Sequence, residues 1–223
     1  MDPIITTPRL KLTLLTTAAP GSPEFNWIHE LRSNEQSSFW SLYGPSKTPQ
    51  DTEKALQNIL PPPPVAGEEP PHRVPYAVHE LVQGTQGKET AFIGLITLRS
   101  LSEAETQHPP RSTHASTPST LSLELAYMFL PGFWGRGYAT ESISAVLNAC
   151  GNAPRALWAP WEKVLVRAIV NDENSASQRV MEKCGMVDKE VLEFEGGRFF
   201  IGGKWRSEHR LYVYAREVVG ERE

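Results

Sequence analysis

Gly132 to Tyr138 reads Gly-Phe-Trp-Gly-Arg-Gly-Tyr, a spacing of glycines suited to holding an anion. Residues without a Cβ let successive backbone N–H groups converge on one ligand. A helix that starts just beyond adds its unpaired donors and partial positive charge. The chemistry implied is phosphate binding, and two common phosphate motifs can be tested letter by letter. The nucleoside-triphosphate loop needs Lys after its last glycine, and Tyr138 follows Gly137 here. The dinucleotide fingerprint needs G-x-G-x-x-G, whereas the order here is Gly132, Gly135, Gly137. Neither fits. An ordinary strand-to-helix turn is the alternative reading of the bare glycines.

The flanking residues supply the elements that must position such a turn. Leu121, Leu123, Leu125, Tyr127 and Phe129 alternate and predict a strand that Pro131 stops. Ala139, Ile143, Val146, Leu147 and Cys150 fall on one helical stripe. Lys163 to Val170 is nearly all apolar, as an inner strand covered on both faces would be. Together these make a right-handed βαβ unit with a parallel strand pair. A second string, Asn171 to Met186, reads as a capped helix. Asn174 or Ser175 is its cap, Ser177, Val180, Met181 and Cys184 form one face, and Gly185 is its stop.

Elsewhere, Thr7 to Leu15 alternates as a first strand. A helix starts at Ser22 or Pro23, and another follows the Thr48 cap and ends before Pro61–Pro64. Tyr76 to Gln83 and Ala91 to Leu98 predict a hairpin around Gly84 to Lys88, and Val187 to Phe194 and His209 to Ala215 two closing strands. Residues 61–75, 100–120 and 152–161 read as loop insertions into a single domain spanning 1–223. His108 and His114, in the second of these, have no Cys, His or acid at metal spacing, so no metal is expected.

The turn and the following Ala-Thr-Glu resemble motif A of the GCN5-related N-acetyltransferase (GNAT) superfamily, [QR]-x-x-G-x-[GA], in which the turn wraps the coenzyme A pyrophosphate. Gly137 and Ala139 match, and Trp134 stands where Gln or Arg is usual. The fuller string, Trp-Gly-x-Gly-Tyr-Ala-Thr-Glu, is similar to the subfamily of ribosomal-protein alanine/serine N-acetyltransferases. So are the opening Thr7-Pro-Arg-Leu-Lys-Leu12 and the closing Gly-Lys-Trp-Arg turn. The helix Asn174–Gly185 resembles motif B, matching at Asn174, Ser177, Val180, Glu182, Lys183 and Gly185. The resemblance covers Thr7 to about Val218.

It implies an α/β fold with a central, mostly antiparallel sheet, a splayed parallel strand pair and flanking helices. It implies acetyl-CoA as co-substrate and acetyl transfer to a primary amine by direct attack in a ternary complex. Cofactor contacts would come from Met128, Phe129, Leu130, Trp134, Gly135, Arg136, Gly137, Tyr138, Ala139, Thr140, Asn174 and Ser177. The edge Met128–Leu130 would run along the pantetheine arm, and a backbone N–H near Met128 would face the carbonyl oxygen. Asn174 can cap its helix and contact the cofactor at once, through different atoms. The early helices would wall the acceptor site, with Trp40 and Tyr43 either lining it or filling core.

Two protons must be managed. An α-amine with pKa near ~8 is partly neutral at pH 7, whereas a lysine near ~10.4 is almost wholly charged, so an N-terminal acceptor needs a base less. The candidate base is Glu124, among apolar neighbours, with a surface cross-strand acid as the alternative. Many family members protonate the thiolate with a Tyr one turn after the motif B Ser. That position is Met181, so Ser177, or water it holds, is the substitute, ahead of Tyr127 and Tyr138.

A net charge of −4 argues against nucleic acid as main partner, because neutralising phosphates needs a basic surface. Two cysteines cannot frame disulfides, and both fall on apolar helix faces. No signal-type run or ~20-residue apolar span is seen, so a cytoplasmic or nucleocytoplasmic protein without membrane partner is expected. The acceptor's identity and the choice between monomer and homodimer stay open. A non-catalytic acyl-CoA-binding module is the alternative to an enzyme, kept by Met181. A nucleotide binder is disfavoured by the missing Lys.

Overall fold

A computed structural model describes residues 1–41, 44–64, 70–82, 90–101 and 119–220. Tyr43, the hairpin turn at 84–88, His108 and His114 lie outside the described residues, as do 65–69 and 102–118 of the expected insertions.

Among the described residues eight strands form one sheet in the order β1-β2-β3-β4-β5-β6-β8-β7. In chain order they are β1 (Ile4–Thr6), β2 (Leu10–Leu14), β3 (Arg73–Leu81), β4 (Thr90–Ser100), β5 (Thr120–Phe129), β6 (Lys163–Asn171), β7 (Asp188–Ile201) and β8 (Lys204–Val219). Every neighbouring pair is antiparallel except β5 and β6, which are parallel. Four α-helices flank the sheet among the described residues: α1 (Pro23–Ser33), α2 (Pro49–Ile59), α3 (Tyr138–Asn152) and α4 (Ser175–Lys183).

Alternation along β5 sorts the core into two layers. Leu121, Leu123, Leu125 and Phe129 pack with Ile143, Val146, Leu147, Met181 and Cys184 of α3 and α4. Met128 and Leu130 pack instead with Phe25, Ile28, Leu31 and Leu56 of α1 and α2. Helix starts follow the capping rules. Ser22 accepts from the Phe25 N–H, and Thr48 and Asp51 form a reciprocal capping box.

Three expectations change. The first strand starts at Leu10, not Thr7, because Thr7 folds into a turn. Its N–H donates to the Leu10 carbonyl at 2.9 Å and its hydroxyl accepts from the Leu10 N–H at 3.0 Å. The closing hairpin is longer than expected. Its strands reach the two-residue turn Gly202–Gly203, where φ values of 62° and 73° suit a tight hairpin that only glycine makes cheaply. Within 152–161, Arg155–Trp158 is a 3-10 turn that buries Trp158 completely, with its indole N–H donating to the Cys150 carbonyl at 3.3 Å.

Candidate active site

The site is built on a fork in the sheet. The β5–β6 ladder runs from Thr120–Lys163 to Glu124–Arg167 and stops, while β5 continues to Phe129 and β6 to Asn171. The edge of β5 beyond Glu124 therefore faces a gap. On the other side, the Leu130 N–H donates to the Ile93 carbonyl at 2.9 Å, so alternation turns Met128 toward β4 and the main-chain groups of Tyr127 and Phe129 toward the gap. Near Met128 it is therefore the Phe129 N–H that faces the gap. The Phe129 carbonyl accepts from the Trp134 indole at 2.7 Å and from the Ser37 hydroxyl at 3.1 Å. Trp134, in the place of the usual Gln or Arg, anchors the turn to the strand end.

Beyond the fork the chain makes a short 3-10 turn, Pro131–Phe133, and enters α3 through Gly135 and Gly137, with φ of 73° and 82°. Gly137 is the helix cap and has no side chain to bond the helix, so the N–H groups of Tyr138, Ala139 and Thr140 stay open. Among the described residues no acceptor takes the N–H groups of Gly135, Arg136 or Gly137 either. A Cβ on Gly135 would meet nothing within 4 Å, so this face of the turn is open space. Consecutive free donors at a helix N-terminus, with room before them, fit a pyrophosphate.

The turn is clasped from behind by the segment that carries β2. Glu141, in the first turn of α3, accepts from the Thr7 hydroxyl at 2.5 Å, the Arg9 N–H at 3.2 Å and Arg9 Nε at 2.7 Å. Arg9 Nη1 donates to the Arg136 carbonyl at 3.0 Å and Nη2 lies 2.5 Å from Glu141. Burial pushes the Glu141 carboxyl up, but these donors outweigh it and hold it below its usual range. Glu80 pairs with Arg136 at 2.8 Å and accepts from the Tyr138 hydroxyl. Arg9, Glu141 and Glu80 are not among the site residues the sequence predicts. The signal is present, since Thr7-x-Arg9 and Glu141 both sit in strings that resemble the family.

Glu124 is the last paired residue at the apex of the fork. Its neighbours differ from the apolar ones expected. It stands in register with Arg99 on β4 and Arg167 on β6, and Arg99 Nη2 lies 3.6 Å from its carboxylate. Alternation puts its side chain on the α1/α2 face. Asn174 caps α4 by accepting from the Ser177 N–H at 3.1 Å. Ser177 is half-buried and Met181, one turn on, is wholly buried. Cys184 joins this helix to α3, accepting from the Ser144 hydroxyl at 3.6 Å and donating to the Thr140 carbonyl at 3.6 Å. Of the predicted strand-end residues, Phe129 packs on the α3/α4 face, whereas Met128 and Leu130 share the α1/α2 face with Glu124.

The far end is ringed by three loops. The Gly202 N–H donates to the Phe39 carbonyl at 2.9 Å, and Cβ atoms on Gly202 and Gly203 would strike the rings of Trp40 and Phe39 at 2.8 Å. Arg206 and Lys204 hold Glu173, before α4, and the two Arg206 bonds and then the Lys204 bond lower its carboxyl to about 2. Trp40 therefore packs at the rim. A shallow hollow lined by Leu56, Leu60 and Pro61–Pro63 lies elsewhere and contains none of the motif residues. Among the described residues no group of three His, Cys, Asp or Glu is placed to hold a metal, and no helix is long and apolar enough to cross a membrane.

No curated protein matches the chain. Solved structures do. An acetyltransferase (GNAT family) from Bacillus anthracis aligns at a TM-score of 0.58 and 20% identity, covering 96% of this chain and 98% of its own. Spermidine N-acetyltransferase from Vibrio cholerae, in complex with CoA and spermine, gives 0.54 and 18%, covering 91% and 95%. RimL, a ribosomal L7/L12 alpha-N-protein acetyltransferase in complex with coenzyme A, gives 0.55 and 14%, covering 96% and 97%. At these identities the likeness is one of fold. A family model described as acetyltransferase (GNAT) domain matches residues 12–187, most of the chain. The chain belongs to the acetyltransferase (GNAT) domain family, whose acetyl donor is acetyl-CoA.

Proposed function

We propose that the protein is an acetyl-CoA-dependent N-acetyltransferase that moves the acetyl group to a primary amine, on a protein N-terminus or a small molecule, by direct attack in a ternary complex. One observation carries the reading: the free edge of β5 beyond Glu124 runs straight into a turn of open N–H groups at a helix N-terminus.

On this reading the amides of Gly135 to Thr140 hold the pyrophosphate, with Trp134 fixing the turn to the strand end, and the strand end Met128–Leu130, with Asn174 and Ser177 across the gap, orients the pantetheine arm. The Phe129 N–H stabilises the carbonyl oxygen as it gains charge. Glu124, directly or through a water, takes the proton the amine sheds. Ser177, or a water it holds, gives one to the sulfur. Donor and acceptor proton sites then lie on opposite faces of the fork, so neither competes with the other. The amine enters past Trp40 and the Gly202–Gly203 turn. We read 1–223 as a single acetyltransferase domain, since the family match spans 12–187 and the first and last strands join the same sheet. A cytoplasmic location is part of this proposal.

Calorimetry with acetyl-CoA and with ATP tests the ligand, and thiol release over a panel of amines tests the reaction. The panel should hold spermidine and peptides with N-terminal Ala or Ser. Binding of acetyl-CoA alone, with thiol release for one class of amine, is expected. Micromolar binding with no release for any amine makes the protein a non-catalytic acyl-CoA module.

A further inference from the structure

Asn171, the last residue of β6, has no part in the chemistry above. It is only 5% exposed. Its main-chain carbonyl accepts from the Asn174 N–H at 2.9 Å, and its side-chain Oδ1 accepts from the Glu173 N–H at 3.0 Å. The second bond fixes which way the amide faces, because only its oxygen can take an N–H. That defines the Nδ2 group, which is buried with no hydrogen-bond partner among the described residues. Leaving such a donor unpaired away from water is costly, so a ligand oxygen is to be looked for.

The place of this amide follows from register. β5 and β6 pair in step from Thr120–Lys163 to Glu124–Arg167. Carried past the end of the ladder, the same step puts Asn171 level with Met128, across the gap. Val164, Val166, Ala168 and Val170 lie in the α3/α4 layer, so alternation gives Asn171 to the other face, which Met128 and Glu124 share. Ile169, two residues earlier on that face, is 37% exposed, so β6 is reachable there. Glu173, whose N–H holds Oδ1, is itself held by Arg206 and Lys204. The amide is therefore mounted on a fixed turn, on the side of the fork where Glu124 lies.

We propose that Asn171 is a catalytic residue whose Nδ2 donates to the thioester carbonyl oxygen of acetyl-CoA, as a second donor opposite the Phe129 N–H. The proposal rests on the acetyl-transfer reading above. Chemistry selects the ligand atom. Nδ2 donates and cannot accept, the incoming amine needs its lone pair for the carbon, and sulfur is a weak acceptor. The carbonyl oxygen is the strong acceptor left at this level of the gap. As the N–C bond forms, the π pair of the carbonyl moves onto oxygen, where two donors meet the charge. As the C–S bond breaks, that pair returns to the carbonyl and the bonding pair leaves on sulfur. Asn171 gives up no proton, so the proton balance stays with Glu124 and Ser177.

The test uses Asn171→Asp and Asn171→Ala, each shown to be folded by circular dichroism. Asp keeps an oxygen for the Glu173 N–H and replaces the donor with a carboxylate oxygen. Ala removes the donor without adding charge. The first readout is kcat for thiol release with the best amine of the panel. Both variants are expected to lower kcat about 100-fold, the scale of a lost oxyanion donor, at unchanged Kd for coenzyme A. The second readout needs no acceptor: the infrared stretch of the thioester carbonyl in bound acetyl-CoA, isotope-labelled at that carbon. Hydrogen-bond donors draw the stretch below its value in free acetyl-CoA. The native protein should show that lowering, and both variants should lose part of it. Slow variants with the native stretch would make Asn171 a prop of the turn before α4 and overturn the proposal. Full rate with an unmoved stretch overturns it as well. Native protein that binds acetyl-CoA and releases no thiol for any amine fails the acetyl-transfer reading alone, because the stretch still reports the contact.

Discussion

At the scale of single residues, Glu124 and Gly137 carry the reading from opposite ends of the fork. Glu124→Gln keeps the shape of the side chain and removes its basicity. It should lower kcat roughly 100-fold, the usual scale of a lost general base, while calorimetry shows unchanged acetyl-CoA affinity. An unchanged rate would reduce Glu124 to the partner of Arg99 in the sheet. Gly137→Glu puts a carboxylate at the helix cap, with its Cβ 3.5 Å from Arg9 Nη2, and adds a side chain where φ is 82°. Acetyl-CoA binding should disappear in calorimetry on protein shown to be folded by circular dichroism, and retained affinity would mean the turn holds something else. Both residues were legible in the linear sequence, one from its glycine spacing and one from its place on a strand. The arginines flanking Glu124 were not, because cross-strand register is set by neighbours 25 and more positions away. Which N–H near Met128 faces the gap has the same origin: it depends on which side β4 occupies.

At the scale of elements, the clasp of Arg9 and Glu141 links the start of β2 to the first turn of α3. The ion pair is partly exposed, with side-chain exposures of 47% and 18%, so its own contribution to stability is modest. Its effect is geometric, since Arg9 also holds the Arg136 carbonyl inside the phosphate turn. Arg9→Ala should therefore weaken acetyl-CoA binding about tenfold, or ~1.4 kcal/mol, with little change in kcat at saturation. Equal Kd values for variant and native protein in calorimetry would show the turn stands without it. The sign of the pH dependence follows from Glu141, whose folded carboxyl sits below its usual range. Its stabilisation is complete above the unfolded value of about 4.3 and is lost as pH falls through the lower folded value. The difference in Tm between native protein and Glu141→Gln should stay constant from pH 8 to pH 5 and close below about pH 4. The central strand, the turn, α3 and α4 were readable because each has its own period or cap. The clasp was not, since its halves are 132 residues apart.

At the scale of the whole molecule, one sheet and two helix layers hold the fork open. Trp158 shows how far the core extends into a segment that reads as loop. It is wholly buried against the layer that includes Cys150 and Val164, so Trp158→Ala should cost roughly 3–5 kcal/mol in denaturant unfolding. A loss below ~1 kcal/mol would place the tryptophan outside the core. Nothing local announced it, because proline and alanine around it carry no helical or strand period. Strand β1 and the full length of the last hairpin were hidden likewise, being fixed by pairing partners rather than by pattern. Burial raises both cysteine thiols, Cys150 to about 12, so the native protein should not react with thiol reagents at pH 8. That silence makes one measurement direct: release of coenzyme A thiol from acetyl-CoA, followed with a thiol reagent over the amine panel, with the acceptor weighed afterwards by mass spectrometry. The account predicts thiol release in step with one added acetyl group on the amine of one acceptor class. Tight acetyl-CoA binding with neither thiol nor acetylated amine, for any member of the panel, would contradict it.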